Sequence, residues 1–321
     1  MDIIGFGALN VDLNYQVSRE FAARIQLRSG KEKEGSSLGS LSSLLSLLEN
    51  ETLLTKSGGG SAANVIVALS RMGFSTGYLG KIGQDEEGDF LLSTLEGVDT
   101  SHIIKGQGLS GKVLALQTQD QKDRSLLVFP EENDTIDPSD INLDYVNSSK
   151  IIHLTSFVDG QSFNTQIETL NRIDPNVMVS FDGGELYATR GLNQLLPILK
   201  RANVIFPSRE EIVILTGKNY KEGAKILLGL GPDIIAVKLS QEGCYILTKD
   251  QEFQMDPFPV DTENIKDTIG AGDVFAAGFL AGILKLKSLR ESARFANRVA
   301  AKSIQGFGRE TYPTQLDLRY L

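Results

Sequence analysis

The segment Asp267-Thr268-Ile269-Gly270-Ala271-Gly272-Asp273 gathers the residue types that phosphate chemistry needs. Gly270 and Gly272 carry no Cβ, so the backbone there can approach a ligand closely. The apolar run Val274–Leu284 that follows reads as a buried helix. Its first N–H groups and positive dipole end would face that ligand. Asp273 puts a carboxylate where loop becomes helix. A donor-rich cradle with a base beside it suits phosphoryl transfer, in which charge on the moving group must be stabilised and an acceptor proton removed.

Other residues able to do chemistry are spread along the chain. Asp12 follows the first strand-like run, and Gly58-Gly59-Gly60-Ser61-Ala62-Ala63-Asn64 opens the clearest helical pattern. Asp85 lies in the glycine-rich stretch Gly80–Gly88, and Ser208-Arg209-Glu210-Glu211 follows a later strand-like run. Each has an ordinary reading: Asp12 as a turn residue, Asn64 and Asp85 as caps, Glu211 as an acid favoured by a helix dipole. Together they fall where one ligand site would be assembled.

The elements that must position them alternate in type. Ile3–Ala8, Thr76–Ile82, Ile151–Leu154, Val177–Phe181, Val204–Phe206 and Ile234–Leu239 are short apolar runs of strand character. Ala62–Met72, Asn164–Ile173, Leu192–Ala202 and Glu222–Leu230 are helical in pattern; in the first, Ala62, Val65, Ile66, Leu69 and Met72 share a face and Gly73 supplies a stop. Buried strands alternating with helices imply an α/β fold with a mostly parallel sheet covered on both faces. Ligands of such sheets collect at the carboxyl ends of the strands. Two segments break the rhythm, at about residues 11–57 and 108–130. The first holds a Ser/Leu-rich tract, Gly35–Glu49, whose leucines suit an amphipathic helix. The second holds strand-like runs Lys112–Gln117 and Ser125–Phe129 around Asp120–Asp123, a hairpin pattern. A lid over the site is the expected use of both.

Composition narrows the function. With 321 residues, 41% of them hydrophobic, the chain can bury one large core. A net charge of −9 argues against nucleic acid or an anionic membrane as partner. One cysteine, Cys244, allows no internal disulfide, and no signal pattern or membrane-length apolar run is present, so a cytoplasmic location is expected. Three partial motifs fail on context. Gly106–Val113 has P-loop spacing but ends in Val113, where Ser or Thr must meet Mg²⁺. Gly35-Ser-Ser-Leu-Gly39 lacks the preceding strand of a hydrolase elbow, and His102 and His153 read as structural. Gly5–Asn10 begins like a dinucleotide fingerprint but ends in Asn10 with no helix pattern after it.

The chain resembles the PfkB carbohydrate kinases, a ribokinase-like family of sugar and nucleoside kinases. Gly59-Gly60 through Asn64, then Arg71-Met72-Gly73 and Gly83-Gln84-Asp85, is similar to the family's N-terminal signature. Asp267–Asp273 with the following helix is similar to its more specific C-terminal signature. The resemblance implies a ribokinase-like three-layer sandwich, a single kinase domain over residues 1–321 with a small β-rich lid from the two insertions. It implies Asp273 as catalytic base, and the N–H groups of Gly270, Ala271, Gly272 and Asp273 as an anion hole. Asp12, Gly59, Gly60 and Asn64 would hold the acceptor's hydroxyls. Lys238, Ser240, Gly243 and Asn297 would flank ATP, Glu211 would organise Mg²⁺ through water, and Asp267 and Thr268 match a loop that holds a monovalent cation such as K⁺. The sequence departs from the family pattern at Ser208, where an Asn is usual, and at Ser240, where a Gly is usual.

The expected function is therefore ATP-dependent phosphorylation of a primary hydroxyl of a sugar or nucleoside. An ordinary aspartate pKa would leave Asp273 ionised at neutral pH. The long insertion before Gly58 leans toward the nucleoside branch, and the lid's edge offers a homodimer contact. Competing readings are a nucleotide-binding oxidoreductase and a ligand-sensing relative with weak or no turnover.

Overall fold

The alternation of buried apolar strands with helices builds an eight-stranded sheet in the computed structural model, which describes residues 1–25, 32–118, 125–158 and 160–321. From edge to edge the strands are Glu252–Met255, Cys244–Leu247, Ile234–Lys238, Val204–Ile205, Met178–Asp182, Ile151–Thr155, Ile3–Phe6 and Thr76–Leu79. Pairing is parallel from Ile234–Lys238 to Thr76–Leu79 and antiparallel across the other two strands.

Side chains alternate between two cores because successive strand residues point to opposite faces. Ile3 joins one core while Ile4 and Phe6 join the other; Cys244 and Ile246 oppose Tyr245 and Leu247 in the same way. Helices Ser61–Arg71, Ala271–Leu284 and Leu289–Ser303 cover the first face. Gly160–Arg172, Leu192–Arg201 and Tyr220–Leu228 cover the second. This is the expected three-layer α/β arrangement.

Two details differ from the sequence reading. The apolar run Thr76–Ile82 divides at Gly80: Thr76–Leu79 stays in the main sheet, and Lys81–Gly83 turns away to pair with Ile104–Gly106. The hairpin Cys244–Leu247/Glu252–Met255 was not anticipated. Its outer strand is mostly exposed and carries Glu252 and Gln254, so the continuous apolar signal of a doubly covered strand is missing.

A second sheet comes from the two insertions, in the order Glu32–Glu34, Ser125–Phe129, Gly111–Gln117, Asn10–Gln16 and Thr52–Gly59. Gly111–Gln117 and Ser125–Phe129 are antiparallel, as the hairpin pattern required. The turn Asp120–Asp123 lies outside the described residues. The Ser/Leu tract forms the helix Leu41–Leu48, which buries Leu41, Leu44 and Leu48 and is capped by Ser40, whose side chain accepts from the N–H of Ser43. The P-loop-like stretch holds strands Ile104–Gly106 and Gly111–Gln117 with no helix between them. Among the described residues, no helix is long and apolar enough to cross a membrane.

Candidate active site

Gly270 caps the helix Ala271–Leu284 at φ 75°, a left-handed conformation that a side chain would strain. That turn leaves backbone N–H groups pointing out of the helix start. No acceptor among the described residues meets the N–H of Gly270, Gly272 or Asp273. The N–H of Ala271 is the exception, since it donates back to the Thr268 carbonyl at 3.3 Å. The cradle thus has three free donors rather than the four expected.

Asp273 sits in the first turn and its Oδ2 accepts from Nδ2 of Asn64 at 2.8 Å. Asn64 comes from the first turn of Ser61–Arg71, so two helix N-termini converge on one carboxylate. Asn64 is therefore no cap. Asp85 is one: its Oδ1 accepts from the N–H of Gly88, and its other oxygen accepts from the N–H of Ser110.

Asp12 is carried by Asn10–Gln16, beside Thr52–Gly59. A Cβ on Gly59 would lie 2.1 Å from Asp12 Oδ2, so only glycine leaves room for that carboxylate. Gly60, at φ 104°, is equally confined, since a Cβ there would lie 2.1 Å from the Ala8 carbonyl oxygen. The Asp12 carboxylate accepts no hydrogen bond from the described residues and lines the cavity described below.

Burial pushes the Asp273 pKa up to about 7; the Asn64 hydrogen bond opposes this, Asp182 adds to it, and Lys238 and Arg309 oppose it. Asp12 is also pushed up to about 7, by burial first, with Arg309 lowering it and the Asp273 charge raising it. The expectation of an ordinary aspartate at position 273 is thus corrected, because neighbours far apart in sequence strip water from it. A carboxylate with a midpoint near 7 holds a proton more strongly than an ordinary aspartate does.

Asp12, Asn64, Gly270, Gly272, Asp273 and Arg309 line one cavity of about 970 Å³. The small sheet supplies Thr55 and Val113 to its wall, and the main sheet supplies Thr155 and the following Ser156. Lys238, Ser240, Gly243, Asn297 and Glu211 lie outside this cavity. Lys238 flanks the cradle instead: a Cβ on Gly272 would meet its Nζ at 3.5 Å. Its ammonium pairs with Asp182, and the charges of Asp182 and Glu211 raise its pKa against the effect of burial.

Glu211 and Ser208 form a capping box, with the Ser208 N–H donating to Glu211 Oε2 at 2.9 Å and the Glu211 N–H donating to Ser208 Oγ at 3.1 Å. The serine at this position is explained locally, since its short hydroxyl is a strong N-cap. Burial raises the Glu211 pKa, Lys238 opposes, and Asp182 adds. Asn297 donates to the carbonyls of Met255 at 3.3 Å and Asp256 at 2.8 Å. Gly243 packs on the same segment; a Cβ there would lie 2.1 Å from the Met255 carbonyl. Ser240 holds φ 54°, a strained left-handed value where the family pattern has glycine. Asp267 Oδ1 accepts from the Ile269 N–H at 3.1 Å. No group of three or more His, Cys, Asp or Glu side chains converges among the described residues.

Two members of this arrangement escaped the sequence reading. Asp182 ends the apolar strand Met178–Asp182 and is only 6% exposed; a lone acid closing a buried strand was the available signal. Arg309 follows Gly308 near the C-terminus, and nothing in its neighbours points to Asn64. The two histidines stay structural: His153 is buried against Ser180 with its pKa pushed down to about 3, and His102 stacks on Tyr145.

The model of the pfkB family carbohydrate kinases matches residues 46–315. The chain belongs to the PfkB family of carbohydrate kinases. This PfkB chain is 42% identical over 257 residues to an uncharacterized sugar kinase of Archaeoglobus fulgidus, covering 78% of this chain and 100% of that one. It is 29% identical over 279 residues to the 2-dehydro-3-deoxygluconokinase of Bacillus subtilis, covering 81% and 85%. Among solved structures, adenosine kinase from Sinorhizobium meliloti superposes with a TM-score of 0.87 at 20% identity, covering 99% and 98%, a likeness of fold. An uncharacterized sugar kinase from Pyrococcus horikoshii in complex with ATP superposes with a TM-score of 0.77 at 27% identity, covering 99% and 97%.

Proposed function

We propose that this PfkB kinase transfers the γ-phosphoryl group of ATP to a primary hydroxyl of a sugar, with Asp273 as general base. One observation carries the reading: a carboxylate fixed by Asn64 stands at a cradle of three free N–H donors inside the large cavity. Asp12, with Asn64, would orient the acceptor's hydroxyls. Asp273 takes the acceptor proton as the new O–P bond forms, the bond from the γ-phosphorus to the β–γ bridging oxygen breaks, and ADP leaves. The N–H groups of Gly270, Gly272 and Asp273 meet the charge on the moving group, where fixed donors act most strongly.

ATP as donor is supported by the ATP complex of the Pyrococcus horikoshii relative. The cradle and Lys238 fit its phosphates, with Ser240 and Gly243 on the flank. Asn297 has its amide hydrogens engaged with the Met255 and Asp256 carbonyls, which gives it a shaping role. Magnesium would neutralise phosphate oxygens. Glu211, through the oxygen its cap does not use, and Asp182 are the groups to hold it through water, since this ion usually takes few protein ligands. Asp267 and Thr268 form the proposed loop for a monovalent cation, to be read as activity with and without K⁺.

The small sheet is the proposed lid that excludes water during transfer. Its edge strand Thr52–Gly59 is largely exposed and offers a pairing surface to a second copy. The names of the relatives, 2-dehydro-3-deoxygluconokinase and 5-dehydro-2-deoxygluconokinase, put sugar acids and deoxy keto-sugars first among acceptors. The adenosine kinase fold match keeps nucleosides in the panel. The test is ADP release with fructose, ribose, 2-dehydro-3-deoxygluconate and adenosine, using Asp273→Asn as the blank. Release above the blank with at least one acceptor supports the reading. Release that Asp273→Asn matches would remove Asp273 as base.

A further inference from the structure

We propose that Arg309 is a positioning residue that holds the Asn64 amide with its NH₂ end toward Asp273. The inference rests on Asp273 as base, and it concerns how that base is presented. Arg309 Nε donates to Asn64 Oδ1 at 3.1 Å, and Asn64 Nδ2 donates to Asp273 Oδ2 at 2.8 Å. The three side chains thus form a relay across residues far apart in sequence.

An amide has two nearly isosteric ends, and its partners decide which way it points. A guanidinium can only donate, and a carboxylate while ionised can only accept. With Arg309 on one side, the Asn64 oxygen is drawn there and the NH₂ is left for Asp273. Without it the amide is held from one side only and can turn its oxygen toward Asp273 whenever that acid is protonated, losing the charge-assisted bond, among the stronger hydrogen bonds, that the ionised acid would accept.

Arg309 is itself held from two directions. Its Nη1 donates to the Thr94 carbonyl at 3.1 Å, at the end of the helix Glu86–Ser93. Its own carbonyl accepts from Arg71 Nη1, at the end of the helix that carries Asn64. The third nitrogen, Nη2, is buried with no partner among the described residues. A buried donor left unsatisfied has an energetic penalty, which the bonds of the other two nitrogens must offset. Tyr312, Asp12, Tyr78 and Arg71 are the charged or titratable groups acting on it, while Asp182, Lys238 and Arg309 act on Asp273, whose charge acts in turn on Asp12.

The test reads the Asn64 side-chain NH₂ pair by ¹⁵N NMR on the full chain, assigned by its loss in Asn64→Ala. In the wild type this pair should be shifted from free amides and should move with pH as Asp273 titrates. The movement should vanish in Asp273→Asn. In Arg309→Met the pair should return toward free-amide positions and lose most of its pH response. Arg309→Lys, a donor-only cation without the fork, should fall between; it also serves should the methionine variant fold poorly, as judged by circular dichroism. An Asn64 signal and pH response unchanged in both arginine variants would overturn the proposal. Failure of the base assignment would show differently, as normal turnover in Asp273→Asn with the Asn64 signal still dependent on Arg309.

Discussion

Replacing Asp273 by asparagine should separate activity from stability. The substitution keeps shape, and its side-chain oxygen can still accept from Asn64, but it can no longer take a proton. Loss of a general base should lower kcat by about 10²-fold or more. Stability should move the other way. A carboxylate whose midpoint rises from 3.8 to about 7 on folding favours the folded state while protonated. That contribution is fully present below 3.8 and is lost as pH rises through about 7. Asp273→Asn stays neutral throughout, so it should match the wild type in acid and exceed it in base. At about 1.36 kcal/mol per unit, the roughly three units between 3.8 and about 7 set an upper bound of about 4 kcal/mol on the divergence. For a chain of 321 residues that is a Tm difference of at most about 6 °C at pH 8, closing to about zero by pH 4. Thermal denaturation of both proteins across this range, beside turnover, is the assay. Equal pH dependence of Tm in the two proteins would refute the buried, proton-holding carboxylate described above.

Asp12→Asn should raise the acceptor KM while leaving the acid limb of kcat in place, because burial, Asn64, Asp182, Lys238 and Arg309 set the Asp273 midpoint and the Asp273 charge acts on Asp12; a limb that moves would show that Asp12 also acts on Asp273. Gly59→Ala places a Cβ on the Asp12 carboxylate, 2.1 Å from Oδ2, and should raise the acceptor KM about tenfold, the effect of roughly 1.4 kcal/mol of lost binding, with the KM for ATP unchanged. A parallel rise in both KM values would place Asp12 elsewhere in the cycle. Ser240→Gly relieves a left-handed φ of 54° and should stabilise by about 1 kcal/mol in denaturant titration, the scale of that backbone penalty; no gain would mean the strain is absorbed by neighbours.

The parts of the site legible in the sequence were those announced by glycine. Gly59-Gly60 and Gly270 mark positions where a side chain would collide or strain, and Asn64 and Asp273 follow each pair of helix starts at short range. Asp12 was legible as an acid just past a strand. Arg309 and Asp182 were not, because their roles depend on contacts made across the whole fold, and a lone arginine in a loop has no periodic signature. The raised midpoints of Asp12 and Asp273 were hidden for the same reason: desolvation is a property of what surrounds a carboxylate, not of its neighbours in sequence. The main sheet was readable from apolar runs until its edge, where Glu252–Met255 alternates with solvent and the pattern fades. Ser208 looked like a loss when compared with a family motif, yet with Glu211 it makes a complete helix cap.

The relay from Arg309 through Asn64 to Asp273 also orders events during synthesis. Asn64 is made early, and its two partners follow 209 and 245 residues later. A nascent chain can pair Ile3–Phe6 with Thr76–Leu79 and lay Ser61–Arg71 on them early, while the other side of that helix waits for Ala271–Leu284. A polypeptide broken off before Arg309 would carry the cradle and the base with the amide between them unanchored. On the proposed reading, a product cut before Arg309 would lose turnover to the extent that Asn64 loses its anchor.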